Sequence, residues 1–107
     1  MENNTAMPTE AQLRDALRRV DDPEVGMNIV DLGLVYRIDI APGRVHVELT
    51  MTTPACPMGD LISANALRAL GAASPQDAAV DVALVWDPPW TPDMMSEHAR
   101  QTFGWPG

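Results

Sequence analysis

The feature that most constrains the fold of this 107-residue chain is a junction between a strand and a helix at residues 52–60. Residues 45–51 alternate apolar and polar side chains, which predicts a strand with one buried face. Residues 57–70 repeat apolar side chains at helical spacing, and Pro57 occupies the favoured first helical position. The one cysteine of the chain, Cys56, falls between these elements, where the N-cap of the helix is expected.

The position of Cys56 leaves two interpretations open. Unpaired backbone N–H groups at a helix start favour negative charge, so a thiol placed there is biased toward the thiolate. The thiolate is the form that attacks electrophiles and binds metals. A free cysteine can equally be a small buried apolar residue without chemistry.

The composition narrows the class of protein. The formal charge is −8, from 15 acidic and seven basic residues, which argues against binding to nucleic acid or to anionic membrane surfaces. A single cysteine excludes an intramolecular disulfide and a zinc site built from paired cysteines. The N-terminal residues show no signal sequence and no apolar run approaches membrane-spanning length, so we expect a cytoplasmic protein.

The order of elements follows from the periodicity and the turn residues. Residues 1–8 are predicted to be a disordered lead-in, and residues 9–107 a single domain. The predicted helices cover residues 9–20, 57–70 and 93–103, and the predicted strands cover residues 34–40, 45–51 and 79–86. The first two strands should form an antiparallel hairpin, and a third strand after a crossover helix makes a mixed sheet. The order is therefore α-β-β-α-β-α.

Particular side chains are expected at particular places within these elements. Thr9 is the N-cap of the first helix, and either Thr91 or Asp93 caps the third. Leu61 and Trp86 are expected to face the core from the second helix and the third strand. The wider set predicted to share one core is Leu17, Leu49, Ile62, Leu70, Val80, Val82 and Leu84.

The acidic loop, residues 21–28, carries three carboxylates in four positions. Such a run is commonly a solvated loop. Alternatively, one or two of the carboxylates face Cys56 as a metal ligand or a proton acceptor, and composition does not decide between these readings. The two histidines, His46 and His98, are expected to be surface residues.

The Pro/Trp segment, residues 86–90, begins at the last residue of the predicted third strand. Three prolines within residues 87–93 end that strand, because proline cannot donate to a sheet ladder. Its tryptophans can simply pack against the domain. A rigid ledge of tryptophan and proline can also bind a partner protein, since aromatic residues are favoured at interfaces. The predicted partner surface consists of Trp86, Pro88, Pro89 and Trp90.

Four motifs, at residues 22–24, 28–36, 52–59 and 85–90, together resemble the SufT/PaaD-like family of metal–sulfur cluster assembly factors. They occur in the family's order and cover nearly the whole chain. The resemblance implies a small two-layer α/β (α+β) domain in which helices cover one face of a short mixed sheet. It also implies a carrier or adaptor in the maturation of iron–sulfur proteins rather than a turnover enzyme, with the assembly machinery and client apo-proteins as partners.

The resemblance also implies a set of site residues. Cys56 would be the thiol that contacts iron or a cluster, and Thr52 and Thr53 would shape the turn beside it. Asp22 and Glu24 would reach the same pocket from the acidic loop, and Asp31 would fix the exit of that loop. PaaD itself carries a cysteine-rich module that this chain lacks, so the single-domain SufT type is the closer match.

Counting ligands limits the mechanism. An iron–sulfur cluster normally takes about four protein ligands, mostly thiolates, and one chain offers one. We therefore expect transient binding of a cluster or of iron, with no cofactor held tightly, or no binding at all. A homodimer would supply two thiolates across a two-fold axis.

Three other functions are weighed against this one. A thiol enzyme using Cys56 would need a neighbouring base, and the cysteine motif contains none. The chain could serve the assembly of a metal-dependent oxygenase complex. It could also be a protein-interaction module in which Cys56 is inert.

Overall fold

A computed structural model describes residues 7–52 and 59–104 of the protein. The helices within these ranges are α1 (Glu10–Leu17), α2 (Gly59–Ala72) and α3 (Glu97–Thr102). The strands are β1 (Asp21–Asp22), β2 (Met27–Asn28), β3 (Val35–Ala41), β4 (Arg44–Leu49) and β5 (Ala79–Leu84). Within the same ranges, no helix is long and apolar enough to cross a membrane.

Helix α1 starts at the predicted cap. The Thr9 hydroxyl accepts a hydrogen bond from the Gln12 backbone N–H at 3.1 Å, and the Gln12 side-chain oxygen accepts one from the Thr9 N–H at 2.9 Å. This reciprocal pair satisfies two of the N–H groups that a helix start leaves open. The helix ends at Leu17, earlier than predicted, and is followed by turn hydrogen bonds from the Arg19 N–H to the Ala16 carbonyl and from the Val20 N–H to the Leu17 carbonyl.

The larger sheet has the order β3-β4-β5. Strands β3 and β4 pair antiparallel, and β4 and β5 pair parallel, so the predicted mixed sheet is confirmed. Val45, Val47 and Leu49 project from β4 into the core, where they share one cluster with residues of α1 and α2. The polar side chains of β4 project from the opposite face of the sheet.

The predicted core is confirmed at its centre and wrong at its margins. Leu17, Leu49, Ile62 and Leu70 are fully buried, whereas Val80, Val82 and Leu84 are half-buried because β5 lies at a sheet edge. The predictions for Leu61 and Trp86 are wrong, since 48% and 44% of their surfaces are exposed. Leu61 lies about 100° around α2 from Ile62. Strand β5 ends at Leu84, before its alternation reaches Trp86.

The C-terminal helix is shorter than predicted and has a different cap. Residues 93–103 were expected to form one helix, but the chain forms a 3-10 turn at Pro92–Met94 and then α3. The Ser96 hydroxyl accepts from the Ala99 N–H at 3.2 Å, so Ser96 is the N-cap in place of Thr91 or Asp93. Met95, between the two pieces, is buried and has an extended backbone.

The acidic loop has more order than a plain turn. Strands β1 and β2 pair antiparallel, with Asp21 opposite Asn28 and Asp22 opposite Met27. Gly26 has φ of 81° in the connecting turn, a conformation that L side chains rarely adopt. The loop is therefore a small hairpin that holds Asp22 in a defined place.

Candidate functional site

A cleft of about 400 Å³ is lined by residues of three of the four motifs and by a residue next to the fourth, whereas Asp22, Glu24 and Asp31 do not line it. Thr52 comes from the cysteine motif, Leu32 from the second motif and Trp90 from the Pro/Trp segment. Val25 directly follows the acidic motif, and the α3 region closes the remaining side. The described residues that line the cleft are Val25, Leu32, Thr52, Trp90, Pro92, Met95 and Phe103. The fold thus brings together segments that are far apart in the sequence.

The two residues at the centre of the predicted site, Thr53 and Cys56, lie outside the described residues. Their placement in the site stays a prediction. Thr52 is described, is half-buried and lines the cleft, four positions before Cys56. Gly59, where α2 begins, is buried. In the sequence, the cysteine motif is therefore bounded by a residue of the cleft wall and by the first residue of a core helix.

Asp22 is a buried carboxylate, with 1% of its surface exposed. Its Oδ1 accepts a hydrogen bond from the Glu24 N–H at 2.9 Å. Its Oδ2 is also buried and has no hydrogen-bond partner among the described residues. The solvated-loop interpretation is therefore wrong for Asp22, although Asp21 and Glu24 are exposed. A buried oxygen left without a partner is costly, so Oδ2 is a candidate acceptor for a proton or a cation.

Asp31 links the second motif to the start of α3. Asn28 Nδ2 donates to Asp31 Oδ2 at 2.8 Å, and the Asp31 N–H donates to Asn28 Oδ1 at 2.9 Å. The Ser96 N–H donates to the Asp31 carbonyl at 2.7 Å. The hydrogen bond from Asn28 holds the pKa of Asp31 below its ordinary value. This network fixes the chain between the acidic loop and the wall of the cleft.

The Pro/Trp segment is divided between two roles in the structure. Trp90 is half-buried, and its Nε1–H donates to the Leu32 carbonyl at 2.7 Å, so it forms a wall of the cleft. Trp86, Pro88 and Pro89 are exposed. The Tyr36 hydroxyl donates to the Pro88 carbonyl at 2.8 Å and holds this exposed part against β3. Burial raises the pKa of Tyr36, so the hydroxyl keeps its proton as a donor.

His46 is the feature that sequence reasoning missed. It was expected to be an ordinary surface residue, but its ring is half-buried on the outer face of the sheet. Nδ1 lies 2.5 Å from Asp81 Oδ2 and Nε2 lies 3.2 Å from Glu48 Oε2. These two carboxylates, Asp81 first, raise the pKa of His46. The parallel register of β4 and β5 places Asp81 beside it, and sequence alone does not give that register. His98 is exposed, as expected.

Comparison with known proteins identifies the family. The sequence matches the family described as iron-sulfur cluster assembly protein over residues 10–82. The chain belongs to this family. It is 42% identical over 90 residues to the Fe-S protein maturation auxiliary factor YitW of Bacillus subtilis, covering 83% of this chain and 87% of that one. It is also 42% identical over 86 residues to the auxiliary factor SufT of Staphylococcus aureus, covering 79% and 97%.

A solved structure confirms the fold of the iron–sulfur cluster assembly protein family for this chain. The crystal structure of a domain of unknown function, DUF59, from Bacillus anthracis superposes with a TM-score of 0.83 at 35% identity. The match covers 89% of this chain and 91% of the other. The small mixed α+β domain inferred from the resemblance is thereby confirmed.

The family match includes part of the predicted site. Residues 10–82 contain Asp22, Glu24, Asp31 and the cysteine motif. The Pro/Trp segment lies beyond the matched range. Among residues 7–52 and 59–104, no three His, Cys, Asp or Glu side chains are grouped in a way that could hold a metal ion.

Proposed function

We propose that this protein is an iron–sulfur cluster assembly factor, a carrier or adaptor in the maturation of iron–sulfur proteins, centred on Cys56. The observation that carries the proposal is the cleft, because three of the four motifs contribute residues to its walls, one of them the cysteine motif, and Val25 directly follows the fourth. The named relatives, which are maturation auxiliary factors, support the same role. The role is non-enzymatic, and its setting is the cytoplasm.

In this role the cargo is iron or a cluster that passes through the site. The Cys56 thiolate contacts the cargo, and Thr52 and Thr53 shape the turn that presents it. Asp22 contributes a buried carboxylate oxygen that can accept the thiol proton or help to hold iron. Glu24 lies on the same hairpin, and Asp31 positions the segment that follows. One thiolate per chain makes the binding transient.

An adaptor also needs a surface for its partners, which are the assembly machinery and client apo-proteins. Trp86 is 44% exposed beside exposed Pro88 and Pro89, and the Tyr36 hydrogen bond restrains this part of the chain. Exposed aromatic residues on a rigid backbone are favoured at interfaces. The accessory factor for an oxygenase complex would use the same surface with a narrower set of clients.

The test is substitution of Cys56 by serine. We expect Cys56→Ser to leave the thermal melt unchanged and to abolish activation of an iron–sulfur client enzyme in cells that lack the wild-type protein. Anaerobic reconstitution with iron and sulfide, read by visible absorption, should load the wild type and not the variant. Trp86→Ala serves as a second variant, which should reduce client activation while leaving the reconstitution intact.

The same client assay gives a result that would contradict the proposal. Full rescue of the client by Cys56→Ser, with a normal melt, would exclude Cys56 as the functional centre. The exposed part of the Pro/Trp segment would then carry the function, as an interaction module with an inert cysteine. Loss of rescue by Trp86→Ala in that same assay would support this second reading.

A further inference from the structure

We propose that the cleft is a docking site for a positively charged segment of a partner protein, which inserts one apolar side chain into it. This inference rests on the proposed function, because it names the chemistry of the partner that the cargo site serves. The partner chain would be held beside the cysteine motif, since Thr52 lines the cleft four residues before Cys56.

The walls of the cleft favour an apolar anchor over a small polar molecule. Thr52 supplies the polar side chain among the described lining residues, and the Trp90 indole N–H is already bound to the Leu32 carbonyl. A site for a small metabolite adds to its apolar walls a few placed polar groups that fix the orientation of the ligand. The volume of about 400 Å³ suits one or two apolar side chains. Phe103 at the rim is 42% exposed, so an apolar surface is available to an incoming chain.

The charge of the segments around the cleft favours a partner segment of positive charge. Residues 21–32 contain four carboxylates and no basic residue. Residues 90–104 contain Asp93 and Glu97 against one arginine, Arg100. The two segments that form most of the cleft therefore carry six carboxylates, of which Asp22 is buried, against Arg100 and the exposed His98. Within the described ranges, neither Asp93 nor Glu97 forms an ion pair, and Glu97 is hydrogen-bonded only to Gln101. A cationic segment is attracted to such a rim and an anionic one is repelled.

Hydrogen bonds within the protein also hold the walls of the cleft in place without a partner. The bond from the Trp90 indole to Leu32 fixes one wall, and the bond from the Ser96 N–H to Asp31 fixes the start of α3 next to it. A surface that is already ordered loses less entropy on binding than a mobile one. Central apolar anchors in such pockets carry much of the binding energy at interfaces.

The experiment titrates three short synthetic peptides into the full chain labelled with ¹⁵N. The first peptide contains glycine, lysine and arginine around one central leucine. The second replaces the basic residues by glutamate, and the third replaces the leucine by serine. We expect the first to shift the Trp90 indole resonance and the amide resonances of Val25 and Thr52, and to bind at least about tenfold more tightly than the other two.

Matched variants separate the cleft from the rest of the surface. Phe103→Ser should weaken binding of the first peptide at least about tenfold. Leu67→Ser is its control, because Leu67 is 43% exposed on α2 and does not line the cleft. Asp93→Asn should weaken binding and its dependence on salt, whereas Asp77→Asn, in the exposed turn before β5, should not.

Other results would overturn the proposal. Equal binding of the basic and acidic peptides, shifts confined to another face, or no binding at millimolar concentration would each do so. Shifts at Trp90 that depend on protein concentration alone would identify a second copy as the occupant. Tighter binding in a Trp105→Gly variant would identify the chain's own C-terminal residues. The titration uses protein without iron, so its result is independent of the Cys56→Ser test. Peptide binding can be absent while Cys56→Ser still abolishes maturation, and peptide binding can be present while Cys56→Ser has no effect.

Discussion

At the scale of single residues, backbone geometry decides which positions tolerate change. Gly33, in the second motif, has φ of 80°, and a Cβ built there would lie 2.2 Å from the Met94 carbonyl oxygen. Gly26 has nearly the same φ of 81° but open space around it. The two glycines therefore separate the cost of the left-handed backbone from the cost of close packing.

We expect Gly33→Ala to lower the free energy of unfolding by at least about 2 kcal/mol, because the left-handed penalty adds to a clash with backbone. Gly26→Ala should lower it by only about 1 kcal/mol. Denaturant unfolding measures both. Equal costs for the two variants would show that the Gly33 loop moves away from Met94 without resistance.

Substitution of Asp22 is expected to affect stability and function in opposite directions. Asp22→Asn keeps an oxygen to accept the Glu24 N–H and replaces the buried carboxyl group, whose Oδ2 has no partner among the described residues, by an amide. We expect the free energy of unfolding to stay level or to rise by roughly 1 kcal/mol, while client activation falls. The exposed neighbour provides the control, Asp21→Asn, which should change neither quantity. A large loss of stability in Asp22→Asn would mean that Oδ2 has a structural partner.

At the scale of elements, charged side chains on the outer face of the sheet link neighbouring strands. His46 on β4 contacts Asp81 on β5 and Glu48 on its own strand, and Asp39 of β3 is its partner across the hairpin. Asp39 is itself paired with Arg37 at 2.7 Å. The charged form of His46 therefore ties the edge strand β5 to the sheet.

The raised pKa of His46 fixes the sign of a pH effect. Its contribution to stability is fully present below the unfolded pKa of about 6.5 and is lost as the pH rises through the higher folded pKa. We expect His46→Gln to be destabilised relative to the wild type at pH 5.5 and to approach it at pH 9. Thermal melts across this range measure the difference. His98→Gln, at an exposed position, is the control, and a wild-type advantage that grows toward pH 9 would contradict the assignment.

At the scale of the whole molecule, one thiol and a charge of −8 per chain bear on assembly. A charge of −8 on each chain disfavours close contact between two chains without cargo, whereas a cluster between two Cys56 thiolates would bridge them. We expect the chain to sediment as a monomer without cargo and as a dimer after anaerobic reconstitution. Cys56→Ser should sediment as a monomer under both conditions. A cluster-bearing species with the mass of one chain would contradict the two-thiolate arrangement.

The sequence by itself determined most of the helices and strands, and it determined the family. The capping pair of Thr9 and Gln12 and the alternation along β4 each involve only residues that are close together in the sequence. Both can therefore be predicted from the sequence directly. The four motifs indicated the family without any geometry.

Tertiary structure alone decided how distant residues meet. The pair of His46 and Asp81 depends on the parallel register of β4 and β5, and no local pattern encodes it. The burial of Asp22 among otherwise exposed carboxylates depends on the β1–β2 hairpin packing against the domain. The exposure of Trp86 depends on where β5 ends. Each of these outcomes is set by the free energy of packing whole elements together, which a pattern of neighbouring side chains does not contain.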